Sequence, residues 1–252
     1  MGIPGVAGYL MAGLVGIFTG WLVNLLLDTL PFQRKLSSPY CGKCLQPVGW
    51  GAWLTFRACP HCGRKHTTRR WILIFIFFAA SLWMHFSPPG MLGYWIGLGL
   101  LAYFLLVFVM DLEHHAIVLS VTIVGAIIGL ALGWYLWGIG ATLLGGGFGF
   151  LVMYLLYLFG RLYGRWLIKR RNIEMDEESL GFGDVTLSGV IGLMLGWPQI
   201  AGGLLLGVFF GGLTSGLIIL ISVLRKNYQP SMAVAYAPFL ILGAMIFLYI
   251  PN

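Results

Sequence analysis

The stretch Met91–Ser120, MLGYWIGLGLLAYFLLVFVMDLEHHAIVLS, runs for twenty residues without a charge and then meets an aspartate. Coiled as a helix, twenty residues rise about 30 Å, the thickness of a bilayer's hydrocarbon core. Apolar residues occupy every face of that helix, so it is not the half-buried surface helix of a soluble domain. The rest of the chain repeats the pattern. Of 252 residues, 59% are hydrophobic and 9% are charged, and the mean hydropathy is +0.90. Soluble domains carry about 25% charged residues. The chain reads as a polytopic membrane protein.

Working outward gives eight candidate spans: Pro4–Leu27, Trp71–Phe86, Met91–Met110, Ala116–Trp137, Gly140–Phe159, Ser179–Trp197, Ile200–Leu224 and Val234–Ile250. The expected fold is all-α, with about eight transmembrane helices. A first helix occupies 1–31, a polar loop 32–70, and a membrane core 71–252. The first span lacks a preceding positive residue and a small-residue cleavage pattern, so it is expected to remain as a helix. The sixth span is the doubtful one. Its uncharged part, Val185–Trp197, is only 13 residues long, and it reaches spanning length only when extended back to Ser179 through Asp184.

The 15 Lys and Arg residues fall in three places. Eight lie between the first and second spans (Arg34, Lys35, Lys43, Arg57, Arg64, Lys65, Arg69, Arg70). Five follow the fifth span (Arg161, Arg165, Lys169, Arg170, Arg171), and Arg225 and Lys226 follow the seventh. The alternate connections have none. Positive residues mark cytoplasmic loops, so the 32–70 loop is expected inside and both termini outside. Orientation and anionic lipid account for the net charge of +7 without a nucleic-acid partner. Glycines recur at four-residue spacing (Gly93/Gly97, Gly125/Gly129/Gly133, Gly145/Gly149, Gly203/Gly207/Gly211), the spacing that lets helices approach closely in lipid.

All four cysteines lie in the polar loop, as Cys41-x-x-Cys44 and Cys59-x-x-Cys62 with 14 residues between the pairs. Two such knuckles offer four thiolates at the corners of a tetrahedron, the set a structural zinc takes. A loop facing a reducing compartment is a poor place for disulfides. His61 and His66 are alternative ligands that four cysteines make unnecessary.

The eight acids remain, among them Glu113, which with Asp111 ends the third span. Glu174, Asp176, Glu177 and Glu178 read as a solvated loop. Asp28, near the end of the first span, reads as a snorkelling or packing residue. Asp111 and Asp184 are different. A carboxylate at bilayer depth costs at least a few kcal/mol, so it needs a reason. Taken singly, each has a bland one: Asp111 ends a helix, and Asp184 in a first turn complements the helix dipole. Taken together, they belong to the same membrane face, because an odd span ends where an even span begins. Two carboxylates meeting in a partly desolvated site do not both ionise easily. The charged member can activate water while the protonated one polarises a peptide carbonyl. Gly181 and Gly183 would let an extended substrate backbone approach the second acid.

These residues resemble the prepilin peptidases, or type IV leader peptidases, membrane aspartic proteases of the GxGD class. The likeness covers most of the chain. GWLVNLLLDTLP (Gly20–Pro31) resembles the end of the family's first helix, and the paired CxxC knuckles resemble its zinc loop. MDLEHHAI from Met110 is similar to the segment bearing the first catalytic aspartate, and GFGDVTLSGVIGLMLGW to the segment bearing the second. APFLILGA (Ala237–Ala244) resembles the last-helix motif. The resemblance implies a peptidase with Asp111 and Asp184 as catalytic residues, structural zinc on Cys41, Cys44, Cys59 and Cys62, and an inner-membrane location. Its substrates would be type IV prepilins or pseudopilins, cut at the cytoplasmic face just before their apolar stem. Many bacterial members also N-methylate the new terminus with S-adenosylmethionine. Here the chain departs: Lys65–Trp71 stands where an Arg-Tyr-Pro stretch is usual, and Thr29 stands where an Arg is usual. Both departures weigh against methyl transfer. Ile117-Val118 replaces an expected Ile-Pro, which bears on the start of the next helix. Two other classes compete, a zinc-ribbon cation transporter and a non-catalytic pilus or secretion assembly protein.

Overall fold

The computed structural model describes residues 5–33, 38–41, 44–54, 57–63, 68–115, 117–171, 181–224 and 236–250. Among these, almost everything regular is helix: α1 (Val6–Gln33), α2 (Trp50–Leu54), α3 (Thr68–Phe86), α4 (Gly93–His114), α5 (Leu119–Trp137), α6 (Ile139–Arg171), α7 (Phe182–Leu195), α8 (Gln199–Leu224) and α9 (Ala237–Tyr249). Strand pairing among the described residues is limited to an isolated bridge between Tyr40 and Pro47. Among the described residues, six helices, α1, α3, α4, α5, α6 and α8, are long and apolar enough to cross a membrane. The sixth and eighth expected spans correspond to the shorter apolar helices α7 and α9.

The boundaries have local causes. The start of the expected sixth span, Ser179 and Leu180, lies outside the described residues. Helix α7 begins at Phe182, because Gly181 is extended (φ −74°, ψ 144°), and it stops where Gly196 takes a φ of +67°. Its 14 residues rise only about 21 Å. Helix α5 starts at Leu119 because Val118 is extended at ψ 133°. Helix α9 opens with a proline in its first two positions, where a missing N–H costs nothing. The acidic run 174–178, His66, and the cations Arg34, Lys35, Lys43, Arg64, Lys65, Arg225 and Lys226 lie outside the described residues.

The chain divides into two compact units, Met1–Met110 and Asp111–Asn252. In the first, α1 packs along α3. A Cβ on Gly16 would stand 2.5 Å from the Phe77 carbonyl oxygen, and one on Gly20 would stand 2.8 Å from Ile74 Cα, so the approach depends on glycine. Ser81 donates across it to the Ala12 carbonyl at 2.6 Å. At the far end of α1, Asp28 is a buried hub and does not snorkel. It accepts hydrogen bonds from Trp53 Nε1 at 2.8 Å, from Arg70 at 2.7 Å and from Arg69. The Arg70 guanidinium also lies over the Trp53 ring, 4.8 Å from its centroid.

In the second unit α7 is the inner element, packed against α5, α6, α8 and α9. Such a helix must be apolar all round, and nine of its residues are buried. Glycine sets how near its neighbours come. A Cβ on Gly192 would lie 2.2 Å from the Gly145 carbonyl oxygen, and one on Gly133 would lie 2.0 Å from that of Leu193. Ser188 donates to the Gly149 carbonyl at 3.0 Å, and Trp137 Nε1 donates to that of Met194 at 3.1 Å. Gly93, read above as a packing glycine, instead has open space around it and a φ of +64° at the start of α4. There the backbone requires glycine.

Candidate active site and metal centre

Asp111 sits in the last turn of α4 and Asp184 in the first turn of α7. Both belong to the second unit, and both are buried, with 6% and 8% of their surface exposed. Their carboxyl groups are close enough to act on one another electrostatically.

Asp184 owes its position to local geometry. Gly181 caps α7, Asp184 is three residues on, and the carboxylate accepts the Gly181 N–H, as the acidic half of a capping box does. A helix-start role and a chemical role are therefore compatible in one residue. Asp111 is held by a distant element. It accepts the backbone N–H of Ala237, the first residue of α9, while its Oδ2 is buried with no hydrogen-bond partner among the described residues. A buried acceptor left open is costly unless something fills it, so the site has capacity for a water or a substrate group.

The two glycines differ. Among the described residues, a Cβ at Gly181 would meet Asp184 Oδ2 at 3.7 Å and the Gly183 backbone at 3.9 Å. A Cβ at Gly183 would press on the Ile117 side chain from 3.3 Å. Gly181, which is exposed, thus leaves space directly beside the acid, whereas Gly183 makes room for a neighbour in the fold.

In the first unit the four cysteines converge, with every ligand sulfur within 4.8 Å of the others. Cys41 and Cys62 are 3.6 Å apart at sulfur, and Cys44 and Cys59 are 3.8 Å apart. Four thiolates on a tetrahedral zinc with bonds of about 2.3 Å stand roughly 3.8 Å from one another. The set fits that ion. Each knuckle turns alike: Leu45 N–H reaches the Cys41 carbonyl and Gly63 N–H the Cys59 carbonyl, both at 2.9 Å. Leu45 and Gly63 both have positive φ, 54° and 67°. Glycine takes this conformation freely and leucine does so at a cost, which the metal-binding turn imposes. Cys41 and Cys59 pack with Leu25, Val48 and Trp53, so the loop has a small core of its own against the end of α1. His61 is exposed and outside the cluster.

The sequence reading missed the Ala237 N–H and the partners of Asp28. The first had no signal, because any residue but proline carries that donor. The second had one: an acid in an apolar helix and paired arginines before the next.

Residues 98–220, which include both aspartates, match the type IV leader peptidase family. Over 240 residues the chain is 27% identical to the prepilin leader peptidase/N-methyltransferase of Myxococcus xanthus (strain DK1622). The match takes in 86% of this chain and 66% of that protein, just under two thirds of its length. No solved structure matches the chain.

Proposed function

We propose that the chain, whose residues 98–220 match the type IV leader peptidase family, is a membrane aspartic endopeptidase that removes the short basic leader of type IV prepilins or pseudopilins. One observation carries the reading: two buried carboxyl groups, from helices far apart in sequence, interact within one compact unit. Two acids in an apolar surrounding share a proton more easily than they both ionise.

In the proposed cycle the ionised acid takes a proton from a water as the water oxygen bonds to the scissile carbonyl carbon. The protonated acid gives its proton to the carbonyl oxygen, producing a neutral tetrahedral diol. Collapse breaks the C–N bond, a diol proton returns to one carboxylate, and the leaving nitrogen takes the other acid's proton. One carboxyl is again protonated and the other charged. Space beside Gly181 admits the extended substrate backbone. The charge partition supports a site at the cytoplasmic face of the inner membrane, where a prepilin's stem is in the bilayer and its leader is in water. The four cysteines hold zinc that organises the loop, and the proteolytic cycle does not use it.

The test is intact-mass analysis of a prepilin incubated with the detergent-solubilised protein and S-adenosylmethionine, wild type beside Asp111→Asn and Asp184→Asn. The expected result is leader loss with wild type and a fall of at least about a hundredfold with either variant. Cleavage by Asp184→Asn would defeat the reading. Cation flux with no cleavage of any prepilin would favour a transporter. Methyl transfer, which the Myxococcus relative's name includes, is read from the same spectrum. With Thr29 and Lys65–Trp71 in place of the family's residues, the expected product is unmethylated.

A further inference from the structure

Asp28 touches the cysteine loop twice. Its carboxylate accepts Trp53 Nε1 at 2.8 Å, and its main-chain carbonyl accepts the N–H of Tyr40, the residue before Cys41, at 3.0 Å. The same carboxylate accepts Arg70 at 2.7 Å and Arg69, so the ties of α1 to the loop and to α3 meet in one residue. Asn24, one turn earlier on α1, donates to the Arg70 carbonyl at 3.4 Å. Trp53 is the second joint. It is 2% exposed and packs in the small core with Cys41 and Cys59. Its ring meets that of Trp21 on α1 edge-on, 5.4 Å between centroids, and carries the Arg70 guanidinium over its face. One indole therefore packs with two of the cysteines and also with the charged cluster between α1 and α3.

Asp28 is outside the ligand cluster itself. Binding energy at a small cysteine site goes partly into ordering the chain that carries the ligands. A loop pinned beside its first knuckle and again between the two has less freedom to lose, so the pins should appear as metal affinity. We propose that Asp28 and Trp53 are positioning residues of the metal centre, through which the charged cluster at the end of the α1–α3 pair sets how tightly the four cysteines hold zinc. The inference rests on the reading of those cysteines as a zinc site.

The experiment measures zinc affinity of the full chain in detergent by competition with a chromophoric chelator. The proteins are wild type, Trp53→Phe, Asp28→Asn, their double variant and Ser81→Ala, each also unfolded thermally with and without zinc. Trp53→Phe keeps an aromatic ring and removes the N–H. It should weaken zinc about tenfold to a hundredfold, the usual effect of losing a group that orients metal ligands. Asp28→Asn should weaken it at least about fivefold. The double variant should lose less than the product of the single losses, because both changes strike one hydrogen bond. Ser81 joins α3 to α1 nearer their other end, through the Ala12 carbonyl. Ser81→Ala should therefore lower the unfolding midpoint and leave zinc affinity as it is. Linkage is reciprocal, so zinc should raise the midpoint of wild type by more than that of Asp28→Asn. Arg70→Lys, a milder change in the same cluster, replaces Asp28→Asn should that variant not fold, with the same outcomes read from it. Wild-type affinity in the cluster variant would overturn the inference, because packing of Trp53 alone would then hold the loop. An equal loss in Ser81→Ala would also overturn it, by tracing the effect to general loosening of the helix pair. A wild-type chain that holds no zinc would instead defeat the metal reading on which the inference stands.

Discussion

Asp28 shows how much one carboxylate can organise. It joins the end of α1 to Trp53 in the cysteine loop and to Arg69 and Arg70 at the start of α3. Replacing it with asparagine leaves two guanidinium groups mostly out of water without their counter-charge. Breaking a buried pair on one side costs about 3–5 kcal/mol, so Asp28→Asn should show a clear drop in thermal unfolding midpoint in detergent. An unchanged midpoint would mean that water or lipid headgroups already compensate the arginines. Gly181 makes a second, opposite case. Its φ of −74° is open to any residue, so Gly181→Ala should shift stability by less than about 1 kcal/mol. The added methyl would nonetheless sit against Asp184, and cleavage should fall while the fold is kept. Full activity in Gly181→Ala would show that the substrate backbone passes elsewhere. The acids themselves were legible in the sequence because a charge in an apolar run is conspicuous. The Ala237 N–H was not, because it meets Asp111 only through the register of α9, more than a hundred residues along the chain.

At the scale of elements, α7 depends on the glycines that face it. The Gly192–Gly145 crossing has no space for a Cβ: the atom would fall 2.2 Å from a backbone oxygen, and no rotamer relieves that. Gly192→Ala should therefore force α6 and α7 apart, at about 1–3 kcal/mol, and carry Asp184 out of place. Gly147, also on α6, has nothing within 4 Å of its would-be Cβ. Gly147→Ala should leave cleavage intact and add up to about 1 kcal/mol of stability through helix propensity. Thermal unfolding and cleavage measured on both variants separate close packing from mere glycine content. Equal effects at the two positions would refute the distinction. The four-residue spacing announced this packing but did not say which glycine meets which helix, and Gly93 has its place for a different reason. Helix length was similarly half-visible. Apolar runs located eight segments, whereas the ends of α7 depend on the backbone angles of Gly181 and Gly196, to which hydropathy is blind.

For the whole molecule, the division at Met110 puts the cysteines in one unit and both aspartates in the other. That separation makes a strong prediction about metal. If zinc serves only to organise the loop, Cys59→Ser should lose the ion and open the segment around Trp53 to proteolysis, yet still cleave prepilin at a rate set by Asp111 and Asp184. Folding and metal binding are coupled in small cysteine sites, where the ion supplies about 10–16 kcal/mol, so three thiolates should not hold the knuckles in place. The measurements are zinc content by elemental analysis, limited proteolysis of the 38–63 segment, and leader cleavage, all on the same preparation. Zinc lost, loop opened and cleavage retained would assign the metal a local structural role. Zinc lost and cleavage abolished, with the loop still protected, would mean that the ion takes part in the reaction or in presenting the substrate. The cysteine unit would then have to be counted as part of the enzyme's working site.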